Sequence, residues 1–373
     1  MWETGWRDEV WSGLARQEEE WDIVVIGGGI TGAGILREAS RLGLKTLLVE
    51  KRDFAWGTSS RSSKLVHGGL RYLKEGKIRL TRASVLEREQ LMHEGPGLID
   101  PLGFLLTIYK GDFPGRWTMR MGLSVYDLLA LRWDHEYYSP QDFEMLAPHI
   151  SRSGLECGFR YGDAQTDDAR LVLRVIREAV ADGGTAINYV AAETLLWGED
   201  PETGQKTVAG VRLCDNTQPR RCDVKARAVI NATGAWADQL RSQAGGAERI
   251  RPLRGSHLIF PAWRLPVAQA VNLWHPIDKR PVFIFPWEGV ALVGTTDLDH
   301  DQPLDGEPGI SPEEVAYLMA AVEAQFPSLG LGLEDIISTY SGVRPVIGTG
   351  KADPSKESRE HVIWEENGLL TVT

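Results

Sequence analysis

The 373-residue sequence is short of cysteine: Cys157, Cys214 and Cys222 are all it has, with no paired spacing. That excludes a disulfide framework and a cysteine zinc site, and it fits a reducing compartment. No uncharged apolar run approaches the roughly 20 residues that a bilayer-spanning helix needs. The N-terminal segment carries Glu18–Glu20 and no apolar h-region, so it does not read as a secretory signal. Positive charge is also in deficit, since 41 Lys+Arg against 52 Asp+Glu leave a net charge of −11. This argues against a general binder of nucleic acid or anionic membranes, and leaves local basic patches open. Internal repeats and low-complexity tracts are missing too. Together the absences point to a soluble, cytosol-side protein without a nucleic-acid partner. What the sequence has in excess is glycine, 40 residues of 373 and about 11%, against a usual share of about 7%. Without a triplet period, that excess points to tight turns and close backbone approach to something bound. Apolar residues at 42% and charged residues at 25% are ordinary for a globular chain, and the length allows about two domains.

Residues 1–20 place Trp2, Trp6, Val10 and Leu14 at four-residue spacing, which predicts one apolar stripe of a short helix. Docking on the body is its plain reading; a membrane or partner contact is the alternative. Asp22–Ile26 reads as a buried strand, Ile30–Leu42 as a helix stopping at Gly43, and Lys45–Glu50 as a second strand, making a β-α-β unit. Further helices fit Lys77–His93 and Asp168–Asp182, the latter capped by Asp167 or Asp168. Pro281–Trp287 and Val290–Thr295 flank Glu288-Gly289 as an antiparallel hairpin, and Glu202-Thr203-Gly204 marks another reversal. Ser311-Pro312-Glu313-Glu314 is a capping box that starts a helix running to about Gln325. Arg116–Leu131 is an apolar helical stretch with a basic start. It reads as a core helix, with a membrane-facing helix as the alternative.

Gly27-Gly28-Gly29-Ile30-Thr31-Gly32 satisfies G-x-G-x-x-G directly after a strand and at the opening of a helix. In that context Gly27 serves the tight turn, Gly29 leaves room for a pyrophosphate, and Gly32 lets helix and strand pack closely. The helix start supplies unpaired N–H groups and positive dipole to phosphates. Glu50 stands 18 residues past Gly32, close to the spacing of about 20 for a ribose-binding carboxylate. An acid there, rather than a base, argues against a 2′-phosphate and leaves FAD or NAD. Downstream, Gly57–Tyr72 is rich in hydroxyls and glycine, so Thr58, Ser59, Ser60 and Ser63 suit phosphate and ribityl oxygens; a solvated loop is the alternative.

The combination of GGGITGAG, GTSSRSSKLVHGGLRYL, TDDARLV, VINATGAWAD, RGSH, VGTTD and YSGVRP, in order from about residue 20 to 373, resembles the FAD-dependent glycerol-3-phosphate dehydrogenases of bacterial respiration. The resemblance implies FAD as cofactor, oxidation of sn-glycerol 3-phosphate to dihydroxyacetone phosphate, and electrons passed to membrane quinone. It also implies a peripheral protein on the cytoplasmic face of the membrane. The FAD site it implies takes in Gly27, Gly29, Gly32, Glu50, Thr58, Ser59, Ser60, Ser63, Lys64, Leu65 and Gly234. His257 matches the family's active-site histidine, with a structural histidine as the alternative; His67 matches the loop beneath the flavin and reads as structural. Arg344 and Arg71 match positions facing the substrate, where guanidinium groups would hold the phosphate, and Tyr72 would add a hydrogen bond. Thr295 and Thr296, at a strand end, read as groups supporting them, with packing of the strand end as the alternative. The family continues past the strand matching Leu369–Thr373 with a Gly-Gly-Lys-Leu-Thr-Thr segment and a helical domain, neither of which this sequence includes. The expectation is a shortened member that binds FAD loosely and turns over little.

The fold expected is α/β: a doubly wound, Rossmann-like FAD-binding domain interleaved with a mainly antiparallel substrate domain. Residues 1–20 are the extension; 21–95, 166–250 and 346–373 build the FAD domain; 96–165 and 251–345 build the substrate domain. Another FAD-dependent alcohol or amine oxidoreductase, and a catalytically silent FAD-binding chain, are the alternatives. Asp297–Asp301 begins like a calcium loop, but Gln302 and Pro308 stand where glycine and glutamate are needed, so no metal is expected.

Overall fold

The computed structural model describes every residue except 1, 17–19, 71, 72, 74, 75, 201, 353–356 and 358–360. Its strands fall into two sheets. The first runs in the order Ile363–Glu366, Leu369–Val372, Arg220–Asn231, Trp21–Ile26, Thr46–Val49, Thr185–Ile187. Trp21–Ile26 is central and pairs in parallel with Thr46–Val49 on one side and with Ala226–Asn231 on the other. Val24 and Val25 are fully buried, because helices or a second layer cover both faces; such strands read as unbroken β-branched runs. Helix Ile30–Arg41 makes the crossover between the first two parallel strands. Helix Asp168–Ala181 lies against it, burying Val172, Ile176 and Ala179 in the cluster that holds Ala33 and Leu36. Asp167, not Asp168, is its cap, accepting from Arg170 N at 3.0 Å.

The N-terminal helix, Trp6–Arg16, docks on the core under this sheet. Leu14 is buried as its spacing predicts, and Trp11, outside the predicted stripe, is buried with it. Trp2 precedes the helix and stacks on Phe54, with ring centroids 5.8 Å apart.

The second sheet is built around Ile250–Pro261, which pairs with Ser338–Ile347 on one edge and with Val290–Gly294 on the other. Pro281–Trp287 continues it through the predicted turn, where Glu288 and Gly289 take φ of 47° and 83°. Ala270–Trp274, Ile99–Tyr109 and Leu155–Thr166 extend it further. One face is covered by helix Pro312–Gln325, whose capping box on Ser311 and Glu314 is formed. The other is covered partly by helix Arg116–Ala130, which buries Met119, Leu123 and Tyr126. That helix leaves Trp117, Met121 and Leu128 exposed, so it is a core helix on one side only. Leu65–Val66 pairs with Gln165 and Ala164 of this second sheet. The hydroxyl-rich segment therefore crosses from one sheet to the other, and that crossing positions the site. Among the described residues, no helix is long and apolar enough to cross a membrane.

Candidate functional site

At the carboxyl ends of the parallel strands lies a cleft lined by Gly27, Gly29, Glu50, Thr58, Ser59 and Gly234. This is where ligands enter open parallel sheets. Gly27 takes φ of 114°, in the region open to glycine. A Cβ on Gly32 would overlap the Gly27 carbonyl oxygen, so the helix approaches the strand as closely as the spacing predicts. Gly29 begins the helix without any side-chain cap. Ile30 N donates to Ser59 Oγ at 2.9 Å, and Ile30 and Thr31 line the cleft. A helix start opened by glycine at a glycine-floored cleft fits a pyrophosphate.

Glu50 is tied to the loop itself. Its Oε2 accepts from Gly28 N at 2.7 Å and its Oε1 from Arg52 N at 2.8 Å. Burial pushes its carboxyl above the ordinary value, while those two N–H groups pull it back. Each oxygen keeps a second lone pair for a ribose hydroxyl. The carboxylate thus shapes the glycine turn as well as facing the cleft.

The remaining predicted residues gather on the second sheet. Ser63 Oγ lies 2.9 Å from His257 Nε2. His257 is 1% exposed, stacks on Tyr340 at 4.5 Å, and leaves its Nδ1 without a partner. Burial, helped by the positive charges of Arg344 and Lys64, pulls its pKa down to about 3. Arg344 Nη1 donates to Asp297 Oδ1 at 2.9 Å and Nη2 to Thr295 Oγ1 at 3.2 Å. Thr296 Oγ1 donates to the buried carboxylate of Glu314 at 2.6 Å, so it stands behind the strand end. Lys64 pairs with Asp168 at 2.5 Å and donates to Ser60 O at 2.6 Å. Ser60, Ser63, Lys64 and Leu65 do not line the cleft; Ser60 Oγ turns back to Trp56 O at 3.5 Å, while Ser63 and Leu65 meet the second sheet. Arg71 and Tyr72 lie outside the described residues.

Several groups at the site carry no signal in the sequence. Trp56 and Trp236 line the cleft with Val190–Ala192; Trp236 stands inside VINATGAWAD, which marked its place but not its use. His67, read as structural, has its Nδ1 3.3 Å from Asp163 Oδ2. Asp163 is buried and also accepts from Gly68 N at 2.9 Å and Arg88 Nη1 at 2.5 Å. Burial alone would raise its carboxyl, and the His67 and Arg88 contacts hold it below the ordinary value. With His67 and Asp163 96 positions apart in the chain, only the folded chain shows the pair. Glu314 is a second case. Its carboxylate binds Arg254, Ser256, Thr296 and the Ser311 N–H at once, so the capping box doubles as a strut under the His257 strand.

Over residues 22–370 the sequence matches the family described as FAD dependent oxidoreductase. It is 39% identical over 362 residues to the aerobic glycerol-3-phosphate dehydrogenase of Staphylococcus aureus, a match covering 95% of this chain and 64% of that protein. The Staphylococcus epidermidis protein of the same name is 38% identical, with 98% and 65% covered. The chain therefore spans just under two thirds of the length of the curated relatives it matches. Among solved structures, the glycerol-3-phosphate dehydrogenase from Bacillus halodurans, complexed with FAD, superposes with a TM-score of 0.78 at 32% identity, covering all of this chain and 64% of its own. The L-alpha-glycerophosphate oxidase of Mycoplasma pneumoniae, with FAD bound, superposes at 0.70 with 18% identity over 94% of this chain and 88% of its own, a likeness of fold. A glycine-floored cleft at the end of parallel strands, joined to a mainly antiparallel sheet and matched along 22–370, places the chain in the FAD-dependent oxidoreductase family.

Proposed function

We propose that this chain binds FAD in the cleft and oxidises sn-glycerol 3-phosphate to dihydroxyacetone phosphate at the face of the second sheet. The observation that carries this reading is the crossing segment. Thr58 and Ser59 line the cleft, and only four residues after Ser59 the same segment reaches His257 through Ser63. Gly27, Gly29, Thr58, Ser59, Glu50 and Gly234 hold the dinucleotide. Bound FAD supplies the two-electron acceptor for the hydride leaving the alcohol carbon. The protein has to bind the phosphate and take the hydroxyl proton. Arg344 and Lys64 are the cations beside His257 and serve as the phosphate-binding groups, Arg344 held in register by Asp297 and Lys64 by Asp168.

For the proton we infer His67 rather than His257. Neutral His257 resists protonation because it is buried beside two cations, so it serves better as a hydrogen-bonding partner. His67 has its Nδ1 3.3 Å from the Asp163 carboxylate, which orients the ring and leaves Nε2 as the acceptor. Phe283 packs on His67 and lies across Gly294 from His257 in the ladder, so both rings belong to one face. Electron delivery to membrane quinone, on the cytoplasmic face, completes the proposal. Its support is the exposed stripe of Trp117, Met121 and Leu128 beside Arg116 and Arg120, an aromatic and basic surface of interfacial type.

The test is anaerobic reduction of the FAD-loaded chain by glycerol 3-phosphate, with glycerol as control, followed by loss of flavin absorbance. Slow bleaching with the phosphate ester alone is expected, in keeping with a chain that turns over little. His67→Gln should slow it about 100-fold or more, and His257→Gln should change apparent affinity more than rate. Equal bleaching by both alcohols would overturn the substrate; the reverse ranking of the two variants would return the proton to His257.

A further inference from the structure

Residues 301–310 join strand Leu298–Asp299 to helix Pro312–Gln325, so by connectivity they belong with the second sheet. Their polar contacts go elsewhere. The Asp305 carboxylate pairs with Lys51 Nζ and accepts from Trp236 Nε1 at 3.0 Å. The Asp305 carbonyl accepts from Arg52 Nη2 at 2.6 Å, and Glu307 pairs with Arg61 at 2.9 Å. Lys51, Trp56 and Trp236 all line the dinucleotide cleft. Arg52 and Arg61 both stack on Trp56, at 3.8 and 4.5 Å from its ring centre, and Lys51 lies 4.9 Å from that of Trp236. One loop thus holds both cleft-lining tryptophans through the cations packed on them.

We propose that this loop is a latch across the cleft and that Asp305 is the positioning residue that retains bound FAD, acting through Lys51 and Trp236. The proposal rests on the dinucleotide reading of the cleft. Two features separate a latch from a mere strut. The Asp305 side chain is 62% exposed, so its removal creates no buried orphan and costs the fold little. What it grips is cleft wall rather than core. An ion pair in water is also screened by salt, so the grip should loosen as ionic strength rises.

The experiment loads the whole chain with FAD, dilutes it, and follows the return of free-flavin fluorescence at low salt and at 1 M salt. Asp305→Ala should release FAD about tenfold faster than wild type at low salt. The gap should close at high salt, and Asp305→Glu should recover part of the retention. The melting temperature of the FAD-free chain should be unchanged. Release rates equal to wild type at low salt would overturn the latch while leaving the FAD site standing. So would a fall in FAD-free melting temperature matching the lost retention. A wild-type chain that takes up no FAD would overturn the cleft reading and the latch with it.

Discussion

Both halves of the molecule use glycine to bring groups closer than a Cβ allows, and they do it in opposite ways. In the parallel half the glycines are neighbours in sequence: Gly27 and Gly32 bracket one turn, and the clash each avoids is with backbone. In the antiparallel half they stand on three strands. Gly255 makes room for the Arg344 guanidinium, Gly294 for the His257 ring, and Gly342 for the Arg61 carbonyl. Gly255 faces Gly342 in one ladder and Gly294 faces His257 in the next. The first set shapes backbone for a ligand that reads N–H groups. In the second set Gly255 and Gly294 clear space for side chains, which then need a buried network to hold them, while Gly342 again gives way to backbone.

That contrast can be broken by substitution. The largest effect is expected at Glu314, whose carboxylate is 1% exposed and pairs with Arg254 at 2.8 Å. Glu314→Ala leaves the Arg254 charge and two hydroxyls without their partner. It should cost about 3–5 kcal/mol, read as a shift in urea midpoint, and a change below about 1 kcal/mol would show that side-chain support of this half is dispensable. Gly32→Ala comes next, at about 3 kcal/mol, because the methyl meets a backbone carbonyl that has little room to retreat. FAD affinity should fall with it; an unchanged affinity would detach the glycine turn from the cofactor.

The smallest effect separates the halves by pH. His257 binds its proton in the folded chain only near pH 3, whereas the unfolded histidine takes one near pH 6.5. Between those values the unfolded state carries more protons, so stability falls as pH drops from 7 toward 3. At pH 5 this residue should account for about 2 kcal/mol of lost stability. His257→Gln should flatten that part of the acid limb in urea titrations at pH 5 and 7. A variant with the same pH dependence as wild type would place the acid sensitivity elsewhere.

Much of the parallel half was legible before folding, for a local reason. A turn, a helix start opened by glycine and a carboxylate at fixed spacing are all set within about 25 residues, and hydrophobic periodicity marks the strands around them. The capping box at Ser311 and the Glu288-Gly289 turn were legible on the same ground. Glu314 shows where this stops. Its place at the helix start could be read from four residues, but its grip on Arg254 and Ser256, about 60 residues earlier, and on Thr296 exists only after the helix packs on the second sheet. The same holds for Thr58 to Leu65, a run that reads as one loop. Its first two members line the cleft, while Ser63 and Lys64 turn to the other sheet, since the two-residue pairing of Leu65–Val66 fixes the crossing.

By itself, then, the sequence determined the elements whose stabilising contacts lie within a turn or two: the β-α-β unit, the glycine cradle, the caps and the hairpin turns. Tertiary structure decided which imidazole is buried and which is oriented, where Lys64 finds its counter-ion, and what the loop at Asp305 holds. Those outcomes depend on burial and on charges brought together from distant segments. Desolvation and Coulomb attraction act through space, so no spacing along the chain encodes them.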